Sequence, residues 1–262
     1  MILNNLSFKT VYFHCPSSWF LIAAIAFLLN GCQSPPSPPL PPSPLPPSPS
    51  LSPSPSPKDP QAAQKYRQLG LKYRNQGDYP QAIQAFKKAV ALNPDETSGY
   101  VLLGWTLHLA GQETEAAQIL QKALQQNPKL VPALNALGIV YLVSGDLSAA
   151  VQTHQQAVAL DSNNEIAYYN LALAYQRLKQ FDLALPPGQK AAKLEPHNPH
   201  TWIALALIYW DQGDRLKARQ MYRRALNLDA RYRQPDFLAQ LKLAGLSPDQ
   251  ITLVRQIQRD SQ

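Results

Sequence analysis

The sequence predicts an all-α fold of five helix-turn-helix repeats closed by C-terminal capping helices. Three observations predict it. From Ala63 the chain repeats every 34 residues, in windows starting at Ala63, Thr97, Val131, Glu165 and Pro199, with no insertion. Within each window large apolar residues recur three or four apart, the spacing of one helix face. Three windows carry a Gly–Asp pair between their apolar stretches: Gly77–Asp78, Gly145–Asp146 and Gly213–Asp214. Such a glycine ends one helix in the left-handed conformation and the aspartate caps the next.

The first element is a targeting segment, expected over residues 1–31. Trp19 to Leu29 is a run of 11 apolar residues. As a helix it would span about 16 Å, against roughly 30 Å of hydrocarbon. It has the length of a signal-peptide apolar region, behind a weakly basic start with Lys9. The run ends in "LNGC", with Leu29 three before Cys32 and small Gly31 just before it. This resembles a bacterial lipobox, although Asn30 and the single lysine depart from the usual pattern. The resemblance implies that the chain is cut before Cys32 and that this cysteine is lipidated. The alternative is an ordinary cleaved signal followed by a chance cysteine. Each lipid chain contributes about 0.8 kcal/mol per buried CH₂, and stable anchoring needs at least two chains.

Residues 32–60 are expected as a disordered stalk. Gln33 to Pro60 holds 14 of the 25 prolines and 8 serines. Such a segment has nothing to bury and cannot offset the entropy of ordering. In polyproline II form its 28 residues would reach up to ~85 Å. A ligand for a proline-binding domain is the other reading, but the PPSP and SPSP units have no basic neighbour apart from Lys58 at their end, and a spacer fits them better. Charge divides the chain at the same place. Lys9 is the only charged side chain before Lys58, so a product starting at Cys32 carries 23 basic and 17 acidic residues, a net of +6. Both cysteines, Cys15 and Cys32, precede the folded part, which excludes a disulfide framework or a thiolate zinc site within it.

The repeats come next, expected over 61–230 as windows 63–96, 97–130, 131–164, 165–198 and 199–232. Position 8 is Gly70, Gly104, Gly138, Ala172 and Ala206. Position 20 is Ala82, Ala116, Ala150, Ala184 and Ala218, and position 27 is Ala89, Ala123, Ala157, Ala191 and Ala225. Position 7 is leucine throughout, and positions 4 and 11 are large. Small residues at 8, 20 and 27 let two helix backbones approach, and Pro94, Pro128 and Pro196 stop the second helix. The pattern resembles the tetratricopeptide repeat (TPR), matched five times in register over residues 63 to about 230. The resemblance implies a right-handed solenoid whose concave groove is lined by the first helix of each repeat.

Repeat 4 departs from the pattern. Lys179–Gln180 replace Gly–Asp, and "ALPPGQK" puts Pro186, Pro187 and Gly188 in the second helix. A late start or a kink is expected there, and the least stable repeat, with harmless drift as the alternative. Residues 231–262 should cap the array: a helix over Gln234–Ala244, then one opened by Ser247, Pro248 and a capping box closed by Gln250.

No catalytic constellation is found, and no enzyme activity, cofactor or metal is expected. "HNPH" at 197–200 reads as an inter-repeat turn, and no nucleophile elbow or phosphate loop occurs. What remains is binding. In the family the groove is set by positions 2, 5, 6, 9, 12 and 13 of each first helix. The family's carboxylate clamp is absent: Arg67 matches its first place, but Leu71, Leu102, Pro132 and Ala136 do not match the rest. The groove instead offers Arg67 and Arg74 at one end, then Trp105, His108, Asn135, Val143, Tyr169, Asn170, Arg177 and Trp210, with Ile139, Leu142 and Leu173 either facing a partner or packing on neighbours. Repeat 3 has no Lys or Arg, so the centre should be apolar and uncharged. Aromatic residues facing a cavity are hot-spot candidates.

Basic side chains gather at Lys65 to Lys88 and at Arg215, Lys217, Arg219, Arg223, Arg224, Arg231 and Arg233. The second set reads as a solvated convex face or as a contact for anionic lipid, through Arg215, Arg219 and Arg223. The expected function is a membrane-anchored adaptor of the bacterial cell envelope, with its repeats on the exported side and a segment of another protein in its groove. It is similar to TPR lipoproteins that assist pilus assembly or dock cell-wall hydrolases. The alternatives are an assembly factor for a membrane complex, of pilus or photosystem type, and a non-catalytic subunit of an envelope enzyme. For an exported chain, no nucleic-acid partner is expected.

Overall fold

The structure, a computed structural model, describes residues 58–261. The expected signal peptide, Cys32 and the stalk up to residue 57 lie outside the described residues. Among these, the regular structure is entirely helical. Five pairs follow one another: α1 (Pro60–Asn75) with α2 (Tyr79–Leu92), α3 (Thr97–Leu109) with α4 (Glu113–Gln126), and α5 (Val131–Ser144) with α6 (Leu147–Leu160). Then come α7 (Glu165–Arg177) with α8 (Phe181–Leu194), and α9 (Pro199–Asp211) with α10 (Arg215–Leu228). The first helix starts at Pro60 with Asp59 as its cap, so the end of the expected stalk already belongs to the folded body.

The punctuation works as the residues require. Gly77, Gly145 and Gly213 have φ of 77°, 90° and 85°, and the carboxylates of Asp78, Asp146 and Asp214 accept the N–H three residues on. In repeat 4 the same left-handed place is filled by Lys179, at φ 60°. A side chain there carries a steric cost that glycine avoids.

Within a repeat, the two helices meet where position 8 faces position 24. A Cβ on Gly70 would lie 2.7 Å from the Phe86 ring, one on Gly104 2.6 Å from Leu120, and one on Gly138 2.5 Å from the His154 ring. The missing Cβ is therefore the space that seats the large partner. Repeat 4 reverses the arrangement. Ala172 faces Gly188, and Leu205 and Ile208 of the next repeat close in on the glycine.

The expected late start of α8 does not occur. The helix begins at Phe181, in register with α2, α4, α6 and α10, and continues through both prolines to Leu194. Packing of Ala184, Ala191 and Ala192, all buried, holds it against its neighbours despite two missing N–H donors.

The C-terminal part also differs from expectation. Gln234–Ala244 is not one helix: it divides into α11 (Pro235–Ala239) and a 3-10 turn (Gln240–Ala244), after another 3-10 turn at Ala230–Arg233. Gly245, at φ 84°, then redirects the chain into α12 (Pro248–Asp260). The expected capping box is present, with Ser247 and Gln250 each accepting the other's backbone N–H.

Candidate partner groove

First helices touch first helices of the next repeat: α3 with α5, α5 with α7, and α7 with α9. They form one layer, and their positions 2, 5, 6, 9, 12 and 13 are the expected groove positions. The face they mark falls into two parts.

Over repeats 1 and 2 it holds Leu71, Leu102 and Trp105, half-buried around a core of Phe86, Leu103, Leu107 and Leu120. Trp105 stacks obliquely on His108, centroids 5.0 Å apart. Position 12 is tied back to position 17 of its own repeat. His108 Nδ1 lies 2.8 Å from Glu113 Oε2, and further along the array the Arg215 guanidinium lies 3.5 Å from the Trp210 ring centre. In repeat 1 the corresponding pair is Arg74 and Tyr79. Burial lowers the Arg74 guanidinium pKa, Tyr79 opposes the shift, and Nη1 has no hydrogen bond. Arg67 is paired with Glu96, which also accepts from Asn93 Nδ2 at 3.0 Å.

Over repeats 3 to 5 the face is covered by the chain's own C-terminal segment. Leu142, Leu173, Ile203 and Leu207 are fully buried in one cluster with Tyr232, Leu238, Leu241, Leu246, Ile251, Val254 and Ile257. Tyr169 donates its hydroxyl to the Ala244 carbonyl at 2.8 Å, and its burial pushes the phenol pKa up. Gln250 donates to Gln176 Oε1 at 2.6 Å and to the Leu173 carbonyl at 3.4 Å. Trp210 packs at the edge of the same cluster.

The expected groove residues are thus not brought together. Trp105 and His108 lie in the open part. Tyr169, Asn170 and Trp210 lie with the C-terminal segment. The two asparagines expected to bond a partner's backbone are satisfied within the chain. Asn135 and Asn164 exchange amide hydrogen bonds of 3.2 and 2.9 Å, and Asn170 donates to the Ile166 carbonyl at 2.9 Å. Arg177 donates to the Leu142 carbonyl at the end of α5; burial lowers its pKa against the pull of Asp249. Of the apolar centre expected for a partner, Leu142 and Leu173 are occupied, whereas Ile139 is only partly buried and Val143 is 42% exposed, both outside that cluster.

The second basic set is largely engaged. Arg219 meets Asp260 at 3.4 Å, Arg223 the Ser261 carbonyl at 3.3 Å, and Lys217 meets Asp214 at 2.9 Å. The Arg224 guanidinium sits 4.5 Å from the Trp202 ring centre, and Arg231 pairs with Asp229. Of the histidines in the 197–200 turn, His200 is turned inward, its Nδ1 2.6 Å from the Tyr232 hydroxyl. Burial lowers its pKa to about 4, with Asp229 pulling it up and Arg231 pushing it down.

Sequence reasoning missed the inward turn of the C-terminal segment. The signal was present in α12: Ile251, Val254 and Ile257 form one apolar stripe, and Leu142 and Leu173 stand opposite at groove positions that solvent would not favour.

Residues 57–168 match a family model described as the cytochrome c-type biogenesis protein H TPR domain. Residues 166–198 and 199–232 each match the tetratricopeptide repeat. Among solved structures, a crystal structure of MamA protein is 26% identical, with a TM-score of 0.56, covering 65% of this chain and 93% of that one. A second MamA crystal structure is 27% identical at 0.56, over 62% and 95% of the two chains. A thermophilic TPR protein of Thermus thermophilus, 23% identical at 0.55 over 64% and 92%, shares the fold. No curated protein matches this chain. The family matches run without a gap from residue 57 to residue 232, and this part of the chain is an array of tetratricopeptide repeats, a protein-interaction fold.

Proposed function

We propose that this chain is a membrane-anchored adaptor of the bacterial envelope: lipid on Cys32 holds it, the proline–serine segment sets its reach, and the inner face of repeats 1 and 2 grips a segment of another protein. The observation that carries the reading is that open face, where Leu71, Leu102 and Trp105 present half-buried apolar surface outside the C-terminal cluster. Arg74 adds a half-buried guanidinium charge, although its Nη1 is itself enclosed in the fold. An apolar segment bearing a carboxylate complements both. Contact with anionic lipid through Arg215, Arg219 and Arg223 would compete with Trp210, Asp260 and Ser261.

A photo-crosslinking residue at Trp105, in chain kept in its membranes, tests the groove. A discrete protein adduct at Trp105, missing from the exposed outer-helix position Gln118, is expected; identical adducts at both would refute it. Intact mass and phase partitioning of wild type beside Cys32→Ala test the anchor. A start at Cys32 with two or three acyl chains, lost in the variant, is the expected result.

A narrower reading is favoured by the family match over residues 57–168: a non-catalytic part of an envelope assembly of the cytochrome c biogenesis type. Recovery of haem-handling membrane proteins in the Trp105 adduct would select it.

A further inference from the structure

The C-terminal segment does more than close the end of the array. A solenoid cap covers the last repeat. This one reaches back to Leu142 in repeat 3 and Leu173 in repeat 4, along the inner face. Its contacts are those of a peptide ligand: an aliphatic stripe at i, i+3 and i+6 and a few side-chain hydrogen bonds.

We infer that the inner face of repeats 3–5 is a second protein-binding surface, specific for an amphipathic helix, and that residues 234–261, beyond the last repeat, fill it in cis as a removable occupant. This inference rests on the proposal that the repeats bind protein segments. The helix that fits is defined by α12. It needs branched aliphatic side chains where Ile251, Val254 and Ile257 sit, all buried, and a carboxamide one residue before the first of them to meet Gln176. Its outer face is polar, as Gln256 and Arg259 are exposed in α12. Such i, i+3, i+6 or i+7 anchors are how a helix is read in an apolar groove.

The segment is suited to leave. A helix of 13 residues is marginal alone, and its connector consists of a five-residue helix and one 3-10 turn. The polar contacts at its far end, Arg219–Asp260 and Arg223 to the Ser261 carbonyl, are exposed and contribute little. It folds on docking and unfolds on release, while the repeats keep their own helix-pair cores. A tethered occupant competes at an effective concentration on the order of millimolar, so an incoming helix must bind tightly or arrive in high local concentration.

The test uses full-length chain and a fluorescent peptide of residues 245–262. Wild type should bind the peptide weakly, because the cis copy holds the face. The variant Val254→Asp, which leaves the lining of the face unaltered, should bind it at least ~10-fold tighter. A peptide carrying the same Val254→Asp change should bind neither. If the variant keeps folded repeats and binds no tighter than wild type, or if it unfolds throughout, the segment is a fixed part of the core and the inference fails. Hydrogen exchange on unaltered chain gives a second reading. Amides of 248–260 should open together and before those of α9; exchange at the same rate as α9 would overturn the proposal. Neither measurement uses an outside partner, so a failure of crosslinking at Trp105 would count against the adaptor reading alone.

Discussion

His154 is the residue at which this fold is most sensitive to acid. Its ring fills the place that Phe86, Leu120 and Tyr222 fill in other repeats, fully buried, with neither ring nitrogen hydrogen-bonded. Burial drives its pKa from 6.5 down to about 3, offset in part by the Gly138 backbone. The folded chain keeps this imidazole neutral while the unfolded chain protonates it. Its contribution is therefore complete above pH 6.5 and is lost as pH falls toward 3, at up to about 1.4 kcal/mol per pH unit. His200, lowered to about 4, adds a second slope of the same sign. Replacing His154 with Phe, the ring that faces Gly70 in repeat 1, removes two unpaired buried nitrogens. It should stabilise the chain by about 1–3 kcal/mol at pH 7 and roughly halve its loss of stability between pH 6.5 and 5, in urea titrations. Lys179 carries the other local cost. Lys179→Gly relieves about 1–2 kcal/mol of left-handed strain against about 0.5–1 kcal/mol of added chain entropy, for a net gain near 0.5–1 kcal/mol. A fall in the urea midpoint would contradict that. Both sites are visible in the sequence as departures at fixed repeat positions. What the sequence does not show is that the departures are absorbed: Lys179 takes the glycine's conformation, and His154 its ring slot.

At the level of elements, the repeat pattern predicts the turns of repeats 1, 3 and 5, because the residues that set them act locally. A left-handed glycine and an aspartate three residues before its bonded N–H need nothing from the rest of the fold. Element α8 defeats local reasoning for the opposite reason. Two prolines argue locally against a helix, yet its small face, Ala184, Ala191 and Ala192, is buried against helices on both sides. Tertiary packing outweighs the loss. The cost of the prolines should still be recoverable. Position 22 is Gln84, Gln118, Gln152 and Gln220 in the other repeats, and Pro186 stands in their place on the outer helix. Pro186→Gln restores the donor to the Asp182 carbonyl without touching the core. It should raise stability by about 1–3 kcal/mol and slow hydrogen exchange across α8 more than across α6. No change in α8 exchange would mean that the prolines lie outside the cooperative unit. The division of 234–244 is illegible in the sequence because its cause is remote: the chain breaks there to bring the Ala244 carbonyl to Tyr169, 75 residues away.

For the whole molecule, the C-terminal segment changes how stability is distributed. A repeat array couples only neighbours, so unfolding is expected to part at its weakest repeat. Repeat 4 has a strained turn, an uncapped second helix and two prolines, and is expected to be that weak point. The segment bridges it. One cluster contains Leu142 of repeat 3, Leu173 of repeat 4 and Ile203 of repeat 5, joined through Leu246, Ile251 and Val254. While the segment is docked, opening repeat 4 therefore exposes the segment's apolar stripe as well, so repeats 3 to 5 resist opening one at a time. Val254→Asp places a carboxylate at a fully buried site, so the segment detaches rather than bury it, and the cost is limited to the docking energy. Loss of the bridge should show in cooperativity more than in helix content. Tryptophans report on both ends: Trp105 in repeat 2, Trp202 and Trp210 in repeat 5. In wild type, fluorescence and far-UV circular dichroism should follow one urea transition. In the variant the two probes should separate and the slope of the main transition should fall, because less surface is exposed in each step. A variant with a single transition of unaltered slope would show that repeat 4 transmits cooperativity without the segment.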